Sequence, residues 1–312
     1  MVGYRIYSPV EGEELADTKG RGFQIAVNTA LSAALIFSVA DSAEAKARKK
    51  KRIHYRPAPE RLAIISIDAD TNEVLSSQYA DELRHPASLT KVMTLYMLFD
   101  ALEDGKVKLD DRVLISENAS RQAPTKLGAP AGSTISVEQA IYGLVIQSAN
   151  DVATAVAEKL GGSESKFAAM MTAKGRELGM EKTVFVNASG LPDVRQVTTA
   201  RDIATLSQAI MRNHAGMYRY FSATDMAFGK AHYRNHNRLL GKVEGVDGIK
   251  TGYTRMSGFN LTTSAVRDGQ RVIAVVLGGQ TSRSRDMKMQ TLLEDAFADL
   301  SKRSGTKLAS AS

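Results

Sequence analysis

The chain has 312 residues, 43% of them apolar, and no cysteine. That composition supports one large domain or two small ones with a packed core, and it excludes disulfides, thiolate zinc sites and a cysteine nucleophile. The formal charge of +7 is uneven: Lys46, Arg48, Lys49, Lys50, Lys51, Arg52 and Arg56 sit together without a carboxylate, so the basic balance is mostly a short arm, read as a solvated linker rather than a nucleic-acid-binding domain.

Residues 1–45 read as a leader with a signal peptide. Phe23–Ala40 is apolar-rich, follows Arg21 and precedes Ala43-Glu44-Ala45, which fits a cleavage site. Gln24 and Asn28 interrupt the apolar run, which weakens it as a permanent span, although an uncleaved anchor helix is the alternative. The expected location is outside the cytoplasm, in the periplasm or cell envelope. Residues 46–60 form the basic linker and end in Pro57-Ala58-Pro59.

Arg61–Asp68 reads as a buried strand, Asp68–Asn72 as a turn and Glu73–Ala80 as a second strand. Ser88–Ala101 has helical spacing at Leu89, Val92, Met93, Tyr96, Met97 and Leu98, and Pro86 stands just before it. Residues 104–222 are mostly helical. Ile135–Gln147 and Asp151–Leu160 meet at Ser148-Ala149-Asn150. Lys166–Leu178 is a third helix and Thr199–Asn213 a fourth, capped by Thr198 or Thr199. Strand patterns return at Gly245–Thr251, Phe259–Val266 and Arg271–Leu277, with Arg267–Gln270 as a hairpin turn. Ser284–Leu300 closes as a helix, and 302–312 is a polar tail.

This order predicts an α/β (α+β) domain over 61–301. One antiparallel sheet, made from both ends of the chain, is flanked by the first and last helices, and an all-helical lobe (about 104–222) is inserted. A cleft is expected between the lobes.

Ser88-Leu89-Thr90-Lys91 carries the chemistry. A serine and a lysine three apart on a helix project from one face, and an amine there can take the hydroxyl proton without any histidine. The tetrapeptide alone is weak, since Ser-x-x-Lys recurs at Ser163–Lys166 and Ser304–Lys307. Only the first copy is followed in order by both Ser148-Ala149-Asn150 and Lys250-Thr251-Gly252. Ser88, at the first turn of its helix, is the candidate nucleophile, and its amide can form half an oxyanion hole. Lys91 is the candidate base. A free lysine near 10.4 is too basic for that role, so burial and a second cation, Lys250, must lower it. Ser148 can relay a proton, and Asn150 can donate to and accept from a peptide. Lys250 and Thr251 can hold a carboxylate, and Gly252 lets substrate backbone approach. Each motif alone has a plainer reading, as a helix cap or a strand-edge lysine; their order makes the joint signal. His232 and His236 are four apart in what reads as a loop, and no metal or cofactor is expected.

With His85–Lys91, Asn150-Asp151, Asn187–Asp193 followed by Thr199-Ala200-Arg201-Asp202, and Asp247–Gly252, these motifs resemble those of low-molecular-mass penicillin-binding proteins, the serine D-alanyl-D-alanine carboxypeptidases. The resemblance covers about 61–301. It implies a serine β-lactamase/penicillin-binding-protein-like fold and removal of the terminal D-alanine from peptidoglycan pentapeptides through an acyl-enzyme on Ser88. Lys91 would be the base, Ser148 and Asn150 would assist proton movement and placement, and Lys250 and Thr251 would hold the terminal carboxylate. The Tyr253 amide would complete the oxyanion hole, and Arg285, with Arg283 second, would contact the carboxylate. β-Lactams would acylate Ser88, and the arm at 46–56 would be available to a membrane or wall polymers. Relatives commonly carry a C-terminal β-rich domain and amphipathic anchor; the tail after Leu300 instead suggests a soluble enzyme or one tethered by its leader.

Three other readings share the motifs: a peptidoglycan DD-endopeptidase, a β-lactamase, and a non-catalytic penicillin-binding or wall-binding module. Glu181–Asp193 lacks the Glu-x-x-x-Asn spacing of class A β-lactamases, and intact Ser88, Lys91 and Lys250 argue against a silent module.

Overall fold

The structure, a computed structural model, describes residues 62–311, with side chains described to residue 303. The expected leader, the basic linker and Arg61 lie outside the described residues. In chain order the elements are β1 (Ala63–Asp68), β2 (Val74–Gln78), α1 (Thr90–Glu103), β3 (Arg112–Leu114), α2 (Glu117–Ser120), β4 (Thr134–Ser136) and α3 (Val137–Tyr142). Then follow α4 (Asn150–Gly161), α5 (Glu164–Glu177), α6 (Ala200–Asn213), α7 (Ala215–Tyr218), β5 (Asp225–Phe228) and β6 (Ala231–Arg234). The chain closes with β7 (Val246–Thr254), β8 (Gly258–Arg267), β9 (Gln270–Gly279) and α8 (Ser282–Ala311).

The main sheet is antiparallel with order β2-β1-β9-β8-β7, so the first and last strands of the chain interleave as expected. Alternation along β9 explains its two covers. Val272, Ala274 and Val276 face α8 with Met289, Leu292, Leu293 and Phe297. Ile273, Val275 and Leu277 face the opposite side, with Ile203 and Ala204 of α6 and Leu89. Each fully buried aliphatic side chain contributes about 1.5–3 kcal/mol, so both faces hold the sheet.

The first helix does not cover the sheet as the sequence order suggested. From Thr90 to Phe99 every residue of α1 is buried, and its apolar side chains belong to the core of the helical lobe with α3, α4 and α5. A helix apolar on all sides packs inside a lobe rather than on one surface; α6, with a one-sided apolar face, takes the sheet. Two short ribbons, β3–β4 and β5–β6, sit among helices where helix or loop was expected. Their three- and four-residue strands are too short to show a period of two. The last helix continues through residues 302–311, which read as a tail.

Candidate active site

The chain changes helix type where the nucleophile candidate sits. Ala87–Leu89 form a 3-10 turn, and α1 starts only at Thr90. Ala87 has φ +50°, a conformation that costs a residue with a β-carbon about 1–3 kcal/mol. Asn260, buried in β8, secures this corner: its Nδ2 donates to the carbonyls of His85 at 2.9 Å and Pro86 at 3.1 Å. Its Oδ1 accepts from the Gly278 amide at 2.9 Å. Ser88 is thereby held in the lining of a cleft of about 850 Å3. Gly252 of β7 passes so close that a β-carbon there would stand 3.1 Å from the Ser88 nitrogen, placing that amide beside the strand.

Lys91, one turn on, is 0% exposed. Its Nζ lies 3.2 Å from Ser88 Oγ, 2.7 Å from Asn150 Oδ1 and 2.5 Å from the Ser189 carbonyl oxygen. Asn150 Nδ2 donates to the Ala123 carbonyl at 2.8 Å, which fixes its oxygen toward the lysine. Burial holds the Lys91 ammonium well below its usual value, and the Lys250 charge pushes the same way; Asp151 and Glu164 oppose them. Lys250, 1% exposed, is itself lowered to about 7 by burial and by Arg285.

The loop that supplies the Ser189 carbonyl is built by side chains. Asn187 Oδ1 accepts from the amides of Ser189 and Gly190, and Thr94 of α1 donates to Ala188 O at 2.7 Å. Gly190 has φ +85°, and a β-carbon there would overlap the Ala87 carbonyl oxygen. Glycine is therefore required for the loop to lie against the nucleophile corner.

Opposite, five residues of π-helix after α3 end at Ser148, which is left-handed at φ 58°. Its Oγ is buried and has no hydrogen-bond partner among the described residues. Thr125 pins this turn, accepting from the Asn150 amide at 2.8 Å and donating to the Ser148 carbonyl at 3.0 Å. Asp151 accepts from the amides of Leu127 and Gly128, holding the same loop from behind.

Ser88, Ser148, Asn150, Thr251, Gly252 and Tyr253 all line the cleft, as does Arg285 from α8. Arg285 is 3% exposed and is held by Asp286 and the Asn260 carbonyl, both at 2.7 Å. Arg283 is exposed and does not line the cleft. Lys91 and Lys250 are buried and do not line the cleft, and Lys250 Nζ donates to the Thr251 carbonyl at 3.1 Å. The Tyr253 ring stacks on Phe259 at 4.2 Å.

The sequence did not single out Ser189, a backbone contact without a side-chain signature, or Asn260, whose only signal is an amide inside an apolar strand. It also missed the cations of the segment after β6. His236 lines the cleft while His232 pairs with Asp225 at 3.1 Å. No cluster of three metal-binding side chains occurs among the described residues, and no helix among them is long and apolar enough to cross a membrane.

Residues 53–281 match the family model described as D-alanyl-D-alanine carboxypeptidase. The chain is 33% identical to D-alanyl-D-alanine carboxypeptidase DacF of Bacillus subtilis, over 87% of this chain and 70% of that protein. It is 36% identical to DacC of Escherichia coli, over 77% of this chain and 62% of the relative, so it spans less than two thirds of that relative's length. Penicillin-binding protein 5 from Haemophilus influenzae superposes with a TM-score of 0.74 at 33% identity, covering 78% of this chain and 72% of that one. Penicillin-binding protein D2 from Listeria monocytogenes, solved in its ampicillin-bound form, gives 0.70 at 30% identity, covering 76% and 97%. The chain belongs to the D-alanyl-D-alanine carboxypeptidase family of penicillin-binding proteins.

Proposed function

We propose that the protein is a serine hydrolase that removes the terminal D-alanine from peptidoglycan stem peptides and is acylated by β-lactams at Ser88. The observation that carries this reading is the allocation of hydrogen bonds at Lys91. A neutral amine has two N–H donors and one lone pair. Two of its three neighbours, Asn150 Oδ1 and the Ser189 carbonyl, can only accept. The lone pair is left for the Ser88 hydroxyl proton.

In this account Ser88 Oγ attacks the penultimate alanine carbonyl as its proton passes to Lys91. The oxyanion is held by backbone amides at Ser88 and Tyr253. The C–N bond breaks, the leaving nitrogen takes a proton relayed through Ser148, and free D-alanine departs with its carboxylate near Thr251 and Arg285. Water then attacks the Ser88 ester, and Ser88 recovers its proton. Lys250 keeps the neighbourhood positive, which both attracts the carboxylate and disfavours a proton on Lys91.

The described residues lining the cleft include no carboxylate. A general base of the class A β-lactamase kind is thus missing from that lining, which favours a long-lived acyl-enzyme with β-lactams over their rapid hydrolysis. Export to the periplasm, through the leader outside the described residues, suits an enzyme acting on the wall; contact of the 46–56 arm with a membrane or wall polymers belongs to the same proposal. The test is D-alanine release from a pentapeptide by wild type and by Ser88→Ala. Release by the first and none by the second is expected; equal release removes Ser88 from the mechanism.

A further inference from the structure

The cleft has a cationic wall that the reaction above does not use. Arg234, Arg238 and Lys242 line it, along with His236. All three cations are exposed, and none makes a side-chain hydrogen bond or close ion pair with another described residue, although the Arg234 charge acts on Asp225 at a longer range. Asp225 stands across the β5–β6 ladder from Arg234, but its carboxylate is occupied by Thr224 at 2.8 Å and His232 at 3.1 Å.

The wall is built rather than accidental. From 234 to 238 the chain alternates, with Arg234, His236 and Arg238 exposed and Asn235 and Asn237 turned inward. Asn235 Nδ2 donates to the Ala223 carbonyl at 2.8 Å, and the buried Asn237 Nδ2 donates to Gly248 O at 3.1 Å. The segment leaves β6 through a bend at His236 into a turn over 238–242. The two asparagines also close local turns, Asn235 Oδ1 accepting from the Asn237 amide and Asn237 Oδ1 from the Leu239 amide, so the intervening side chains are left on the cleft side.

Position along β7 places this face in the reaction. Gly252 adjoins the Ser88 amide, Thr251 and Lys250 follow, and Gly248 meets Asn237. At about 3.3 Å per residue, the segment around Asn237 lies beyond the residues proposed to hold the terminal carboxylate. Arg238 is near enough to Arg285 and His236 to act on both through its charge. A group reaching this wall is attached to the leaving amino acid, not to the acyl part.

We propose that Arg234, Arg238 and Lys242 form a second anion subsite on the leaving side, one that selects leaving amino acids bearing a carboxylate besides the terminal one. The inference rests on the carboxypeptidase reading. D-Alanine, with only a methyl side chain, leaves the subsite to water; a dicarboxylic leaving residue fills it. The bonds made and broken are those already described, and only the leaving amine differs.

The test uses the purified full chain and three peptides with one acyl part, ending in D-Ala-D-Ala, D-Ala-D-Glu or D-Ala-D-Gln. Glutamate and glutamine differ in charge but hardly in shape. Wild type is expected to favour D-Glu over D-Gln by about tenfold in kcat/KM at low salt, through KM, as for charge-assisted contacts. The triple variant R234Q/R238Q/K242Q should bring that ratio near one while releasing D-alanine from D-Ala-D-Ala with unchanged kcat. A fourth peptide carries the extra carboxylate on its acyl part and should gain little. The inference is overturned by a wild-type ratio near one, by a ratio that survives the triple variant, or by an equal gain from the acyl-side carboxylate, which is general attraction. Release of D-alanine without a glutamate preference ends this inference alone. If no peptide is cleaved, the carboxypeptidase reading falls and takes the inference with it.

Discussion

Lys91 Nζ stands 3.2 Å from Ser88 Oγ, and its other two partners are carbonyl oxygens. An ammonium there would also find acceptors, so geometry alone does not choose the protonation state. Burial and the Lys250 charge favour the neutral amine, against the charges of Asp151 and Glu164.

Replacing the amine by a group of similar length tests its role as base. Lys91→Met keeps the side-chain length and removes a buried ionisable group, while Asn150 Oδ1 and the Ser189 carbonyl lose a donor; the two effects oppose each other, so the fold should persist. Acylation by a fluorescent penicillin should slow by about 10²–10⁴-fold, the range for loss of a general base. A rate within tenfold of wild type would assign the proton to another group.

The pH dependence follows from the two lysines. The proposed mechanism needs Lys91 neutral, so kcat/KM should rise with pH on the acid side. The same mechanism needs Lys250 charged for the carboxylate, so kcat/KM should fall as pH rises through about 7, the value to which Lys250 is lowered. A bound carboxylate raises Lys250, so the fall in kcat should come at higher pH. Lys250→Arg should move the alkaline limb out of range, since guanidinium does not deprotonate. An unchanged limb in that variant would place the titration elsewhere.

The same displacement has a stability consequence. Lys250 is lowered to about 7 in the folded state, against about 10.4 unfolded. Between those values the unfolded chain binds more protons, so stability rises with pH over this window and its gain is lost as pH falls toward 7. Lys250→Met should raise Tm by several degrees at pH 7, and the difference from wild type should shrink toward pH 10. A difference that is flat with pH would contradict the shift.

Much of this arrangement was legible because it rests on residue types at fixed spacing. The three motifs, their order and the strands of both chain ends needed only pattern. Less visible were features made by backbone: the Ser189 carbonyl, the positive φ of Ala87 and Ser148, and the 3-10 turn before α1. The placement of α1 inside the lobe was hidden because Lys91 reads as polar until its burial is known. The cationic wall was missed because Asn235 and Asn237 read as ordinary loop residues, whereas their side chains tie that loop into the fold.

Ser148 separates function from stability. Its buried hydroxyl has no partner among the described residues, so Ser148→Ala should change Tm by little, or raise it, since an unsatisfied buried group costs about 1–3 kcal/mol. Turnover of a D-Ala-D-Ala peptide should still fall by about 10²-fold if the hydroxyl carries the leaving-group proton. Loss of Tm with full turnover would give Ser148 a structural role only.

Gly190 tests how tightly the loop is held to the nucleophile corner. Gly190→Ala meets the Ala87 carbonyl and demands φ +85° of a residue with a side chain, which should cost about 3 kcal/mol or more. Gly216→Ala meets nothing and should stay within about 0.5 kcal/mol of wild type. Thermal melts of both variants check this, and equal melting temperatures would show that the loop yields.

The central claim is that Ser88 is the nucleophile, and peptide mapping after incubation with ampicillin tests it most directly. Intact mass should rise by one ampicillin, and fragmentation should place the adduct on Ser88, with none formed by Ser88→Ala. An adduct on another residue, or on Ser88→Ala at the wild-type rate, would contradict the account.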